Sequence, residues 1–180
     1  MGGYISLEIM RQAPERVIKL ALLNTSARTD TPAQIRQRRA LVAGARTSDF
    51  KALLTLALRG VLHPAHRENP ALSELTVRMG LAVGVDGLAR QVEAIIARID
   101  SHPNLSAITV PTLVLVGDRD ILTPPDRSEE LAAGIPHRGA GMWSCVNIGT
   151  TGSGESRLDR VDPSLNVRKS HLLLGRARIL

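Results

Sequence analysis

The chain has 180 residues, 43% of them hydrophobic and 22% charged, with a formal net charge of +6. That length and balance suit one globular domain, or one domain with a tail, and exclude a disordered chain. No stretch reaches ~18 apolar residues without a charge, which excludes a transmembrane helix, and the single cysteine, Cys145, excludes a disulfide framework or zinc-finger spacing.

The start, Met1-Gly2-Gly3-Tyr4, has no basic segment followed by an apolar one. With the lone cysteine, this makes a reducing cytoplasm the expected location. The positive excess sits late: residues 1–137 carry 16 Lys/Arg against 14 Asp/Glu, and residues 138–180 carry 7 against 3. The body has no basic stripe, and Tyr4, Phe50 and Trp143 offer no stacking surface. Neither nucleic acid nor membrane is an expected partner.

Taken in order, Ile5, Leu7, Ile9 and Met10 predict a buried helix that Pro14 ends. The near-continuous apolar run over residues 17–23 predicts a strand buried on both faces, as in parallel sheets. Residues 31–100 read as helix throughout. Thr31-Pro32-Ala33-Gln34 has the N-cap, first-turn proline and Gln of a capping box. Ser48-Asp49 starts a second helix, Asn69-Pro70 a third, and Asp86 is placed to cap a fourth. The pattern then reverts to strand over residues 112–116, closed by Gly117-Asp118-Arg119-Asp120. A helix from Asp126 to Ala133 follows, with Gly134 at its C-terminal cap. Strand, helical insertion, strand, helix is α/β organisation. From Arg138 to Ser156 there are five glycines and no clear strand, so residues 138–180 are expected to form an irregular or disordered basic tail.

The run Thr112-Leu113-Val114-Leu115-Val116 delivers acids onto the loop at a strand's carboxyl end, where ligand and catalytic groups of open α/β sheets sit. With Asp120 followed by Thr123-Pro124, it resembles the acid-bearing strand of the α/β-hydrolase family. The resemblance implies that Asp120 is the acid of a Ser-Asp-His triad, holding the imidazole's tautomer and stabilising the imidazolium, with Asp118 a loop neighbour. Three further stretches match in order. Met1-Gly2-Gly3 and the helix after it resemble the end of the G-x-S-x-G nucleophile elbow. Leu22-Leu23-Asn24-Thr25-Ser26 resembles the strand after the nucleophile helix. Residues 31–100 take the place of the family's cap. Over residues 1–137 the chain is similar to the 3-oxoadipate enol-lactonase and haloperoxidase-like branch.

The resemblance implies a fold class: the C-terminal part of an α/β-hydrolase fold, with parallel strands and a helical cap insertion. It implies hydrolysis of a small carboxylic ester or lactone, with no cofactor and no metal. The serine falls immediately before Met1, so the backbone N–H of Met1 takes the oxyanion-hole position. The chain thus reads as a fragment that begins one residue after the nucleophile and leaves the family pattern near residue 137. No histidine stands in the family's Gly-His setting: His137 lies too close to the helix end, His171 follows Ser170, and His63, His66 and His102 lie in or beside the cap. The chain as written is therefore expected to be inactive by the triad route, and poorly soluble, because strand 17–23 exposes an edge. Gly149-Thr150-Thr151-Gly152-Ser153-Gly154 lacks the Lys-Ser/Thr ending of a phosphate loop. Two other readings remain open: a non-catalytic module binding a partner or apolar ligand through 31–100, and a protein whose basic tail binds an anionic surface. The sequence leaves the oligomeric state undetermined.

Overall fold

A computed structural model describes residues 1–62, 67–117, 119–136, 145–150 and 156–159. Helix α1 (Gly2–Gln12) stops before Pro14, and Pro14–Arg16 tighten into a 3-10 turn. That turn takes the chain out of the sheet until Leu20, so strand β1 is Leu20–Leu23, shorter than the apolar run. Val17 instead packs against the core from outside the ladder. Strand β2 (Thr112–Gly117) pairs with β1 in parallel, Leu20 opposite Thr112 and Leu23 opposite Leu115.

Between these strands lie α2 (Pro32–Thr47), α3 (Phe50–Val61) and α4 (Pro70–Ile96). Their starts follow the local chemistry. The Thr31 hydroxyl accepts from the Gln34 amide at 3.3 Å, and the Gln34 side chain accepts from the Thr31 amide at 2.8 Å. Asp49 caps the Lys51 and Ala52 amides, and Asn69 those of Ala71 and Leu72. The predicted third and fourth helices are two arms of α4, parted at Gly84, where φ is 72° and ψ 172°. The break lies two residues before Asp86 because a positive φ combined with an extended ψ is a backbone region that essentially glycine alone occupies.

Helix α5 (Pro125–Gly134) follows β2, and β3 (Cys145–Thr150) and β4 (Ser156–Asp159) complete the order β1-β2-β3-β4. Strand β3 is parallel to β2, and β4 antiparallel to β3. This corrects the expectation of no strand between Arg138 and Ser156. Val146, Ile148 and Thr150 recur with period two, a β signal too short to stand out among the glycines.

One face of the sheet carries the core. Leu20, Leu22 and Val114 are buried there under Leu7 and Met10 of α1, Leu105 of the 3-10 turn His102–Ala107, and Leu131 of α5. Leu131 is fully buried, so Leu131→Ala is expected to cost about 2–5 kcal/mol through lost burial and the cavity left behind, read as a lower urea midpoint at unchanged slope. The expectation of strands buried on both faces is corrected. Leu23 and Leu113, pointing to the other side, are 52% and 40% exposed, because the described helices that meet this sheet pack on the first face.

Candidate active site

The carboxyl ends of β1 and β2 meet at Asp120. Four donors converge on its carboxylate. The Leu122 and Thr123 amides each donate to Oδ1 at 2.8 Å, the Thr123 hydroxyl donates to Oδ2 at 3.1 Å, and the Asn24 side-chain amide also donates to Oδ2. The Asp120 amide itself donates to the Gly117 carbonyl at 3.2 Å, closing the loop at the strand end. Burial pushes the Asp120 pKa up, but the Thr123 amide, Asn24, the Leu122 amide and the Thr123 hydroxyl outweigh it and hold the carboxyl below its ordinary value. A half-buried carboxylate, fixed in orientation and kept ionised, is suited to accept a hydrogen bond from an imidazolium.

Asn24 was not singled out by sequence as a site residue. It ends β1 with φ 48°, a left-handed turn that asparagine tolerates, and its side chain then reaches across to the β2 loop. The next residue, Thr25, is buried against α1. A Cβ built on Gly3 would lie 2.3 Å from the Thr25 hydroxyl oxygen, so the start of α1 sits on the strand-end segment only because residue 3 is glycine. Thr25 is β-branched and enclosed, so Gly3→Ala is expected to cost about 1–3 kcal/mol by overpacking, read by thermal unfolding. Met1 caps this end of α1, its carbonyl accepting from the Ile5 amide at 3.2 Å. The structure thus brings the Met1 end of α1, Asn24 and Asp120 to the same end of the strands.

The cap is pinned beside this end by Asp30, whose side chain is 3% exposed. It accepts from Arg38 of α2 and, at 2.9 Å, from Arg98 just after α4. Arg98 also donates to the Arg28 and Ile95 carbonyls, each at 2.7 Å, and its guanidinium lies 4.1 Å from the centre of the Tyr4 ring. One side chain therefore joins α1, the loop after β1 and the base of the cap.

His102 does not meet Asp120. Its ring nitrogens face Asp100 at 2.7 Å and Glu130 at 3.3 Å, and Glu130 is held in turn by Arg28. Asp118, His63, His66, His137 and His171 lie outside the described residues, as does the Cys145 side chain. Among the described residues no group of three or more His, Cys, Asp or Glu could hold a metal ion, and no helix is long and apolar enough to cross a membrane.

No protein-family model matches the chain. A protein of Azorhizobium caulinodans that carries the name carbamate hydrolase RutD is 31% identical over 144 residues, 76% of this chain and 52% of the relative. A thermophilic esterase from Thermogutta terrifontis superposes with a TM-score of 0.69 at 28% identity, covering 81% of this chain and 53% of that one. The enol-lactonase from Burkholderia xenovorans gives 0.67 at 28% identity, covering 77% and 52%. The chain is related to the α/β-hydrolases and shares their fold. Its fold is a partial one, parallel strands with a helical insertion, and it spans about half the length of each of these relatives. Within the α/β-hydrolase frame the Asp120 loop follows a central strand, and α2 to α4 fill the insertion between two neighbouring strands.

Proposed function

We propose that the chain carries the triad acid and the substrate-shaping cap of a serine hydrolase of small carboxylic esters or lactones, and that it does not turn over such substrates by itself. The observation that carries this reading is the four-donor clamp on Asp120 at the end of β2. The relatives named as a carbamate hydrolase, an esterase and an enol-lactonase support it, since each name describes transfer of an acyl group to water.

In this reading a serine preceding Met1 attacks the carbonyl, and a histidine takes its proton and returns it to the leaving group. Asp120 orients that histidine, and the Met1 backbone N–H helps hold the oxyanion. The triad needs no cofactor. This sequence offers no serine in an elbow and no histidine in the family's setting, which is why the chain alone is read as inactive.

A fluorophosphonate probe tests the second half of the reading. Incubated with the purified 180-residue chain, it should label no serine, and p-nitrophenyl acetate should be hydrolysed no faster than in buffer. Labelling of any serine with matching turnover overturns the reading. The role of Asp120 is tested in a chimera in which residues 1–136 replace the corresponding stretch of the Thermogutta esterase, between its own nucleophile strand and its own histidine strand.

A further inference from the structure

The four donors on Asp120 are not equivalent. The Leu122 and Thr123 amides and the Thr123 hydroxyl belong to the segment that carries the acid, so they set the carboxylate relative to its own loop. Among the described residues, Asn24 alone reaches it from another strand, 96 residues away in sequence. Both ends of this bridge are pinned. The Asn24 backbone amide donates to the Leu115 carbonyl at 2.9 Å, which extends the β1–β2 ladder by one residue, and the Asp120 amide closes onto Gly117 at 3.2 Å. Thr25, the next residue, is pressed by the start of α1 at Gly3. A continuous path therefore runs from the start of α1 through Thr25 and Asn24 to the acid.

We infer that Asn24 is a positioning residue, whose side-chain amide sets the Asp120 carboxylate relative to β1 and the start of α1. The inference rests on the reading of Asp120 as a triad acid, because only then does its orientation matter to a reaction. Position 24 makes two demands that glycine and aspartate each meet only in part. With φ at 48° the backbone is left-handed, a region that glycine, asparagine and aspartate enter at little cost. Facing a carboxylate, the side chain must also donate. Glycine satisfies the backbone and has no donor. Aspartate has the shape, but it sets a second carboxylate against the first, and such a pair holds a proton between them. Asn24 is exposed, so its bond competes with water and adds little to stability. A left-handed residue whose bond adds little stability is better explained by where it puts the acid.

In the 180-residue chain, the Asp120 carboxyl carbon is followed by NMR as a function of pH. Asn24→Gly keeps the left-handed backbone and deletes the donor. It should move the Asp120 midpoint up toward that of an ordinary aspartate, since the Asn24 bond helps hold it down. Asn24→Asp should move it further up, because the pair then shares a proton. A midpoint that neither variant moves overturns the inference. In the esterase chimera, Asn24→Gly should lower kcat about 10- to 100-fold with KM little changed, the scale for a displaced reacting group. In an Asp120→Asn background the same change should cost nothing further, since Asn24 acts only through that carboxylate. Equal losses in both backgrounds mean a structural role and overturn the inference. So does an unchanged kcat for Asn24→Gly where Asp120→Asn lowers it. If Asp120→Asn itself leaves kcat intact, the functional reading falls, and the titration alone decides whether Asn24 holds the carboxylate.

Discussion

In the esterase chimera, once shown to be folded and active, Asp120→Asn is expected to lower kcat about 10⁴-fold with little change in KM. The loss follows from what the carboxylate does rather than from its fold role. Asparagine keeps the shape and can still accept from Leu122 and Thr123. It carries no charge to stabilise an imidazolium, and its NH2 faces the position where the histidine must donate. The Asn24 amide donates to the oxygen that becomes that NH2, or forces the side chain to flip, so the tautomer control is lost either way. Circular dichroism should be nearly unchanged, while the melting temperature should fall modestly, since the variant gives up an ionised carboxylate whose lowered pKa favours the folded state. Because the donors hold the Asp120 pKa below the ordinary value, the carboxylate stays ionised as pH falls, and the acid limb of the rate profile should belong to the histidine. A chimera whose kcat survives Asp120→Asn removes Asp120 from the mechanism.

Asp30→Ala is expected to destabilise the 180-residue chain by about 3–5 kcal/mol, the scale for removing one partner of a buried ion pair. Arg98 has a 13% exposed side chain and a buried Nε without a hydrogen-bond partner, so it has no spare route to water once the carboxylate is gone. Burial raises the Asp30 pKa, but Arg38 and Arg98 more than reverse this, and the folded value lies below that of a free aspartate. A depressed carboxylate contributes stability above its unfolded pKa of about 4 and loses it as pH falls through the lower folded value. The wild-type advantage over Asp30→Asn, measured by urea unfolding, should therefore be flat from pH 7 to 5 and shrink below about pH 4. An advantage that persists unchanged to pH 2 would falsify the ion-pair account. The asparagine variant serves if the alanine variant does not fold.

How much of this was legible in the sequence depended on how local the physics is. The capping box at Thr31 and the helix starts at Ser48-Asp49 and Asn69-Pro70 act within four residues and are legible in the sequence. The helical insertion shows in its caps and apolar spacing, and the two parallel strands in near-continuous apolar runs. The position of Asp120 just past a strand end follows from the second of these runs. Its reading as a triad acid comes from the resemblance and stays a proposal. Asn24 was not legible as the partner of Asp120, because 96 residues separate them and only the β1–β2 register brings them together. The same is true of the Arg98–Asp30–Tyr4 junction. The break at Gly84 was misplaced to Asp86 because a capping side chain is a commoner helix start than a lone glycine in a left-handed turn. The one-sided burial of β1 could not be seen at all, since an apolar run shows that a strand can be covered on both faces and not that it is.

The pairing of Leu20 with Thr112 has a consequence for how the molecule assembles. The ladder cannot close until some ninety intervening residues are brought to its ends, a closure whose entropic cost grows only slowly with length but whose rate falls with sequence separation. Helices α2 to α4 start from local caps and form their own turns within microseconds, and the pairs that join α2 to α4, such as Arg39 with Glu93, are still nearer in sequence than the two strands. Each turn they gain shortens the free chain that still has to search. The helical insertion would thus act during folding as a spacer, delivering β2 to β1 after most of the wandering has been done.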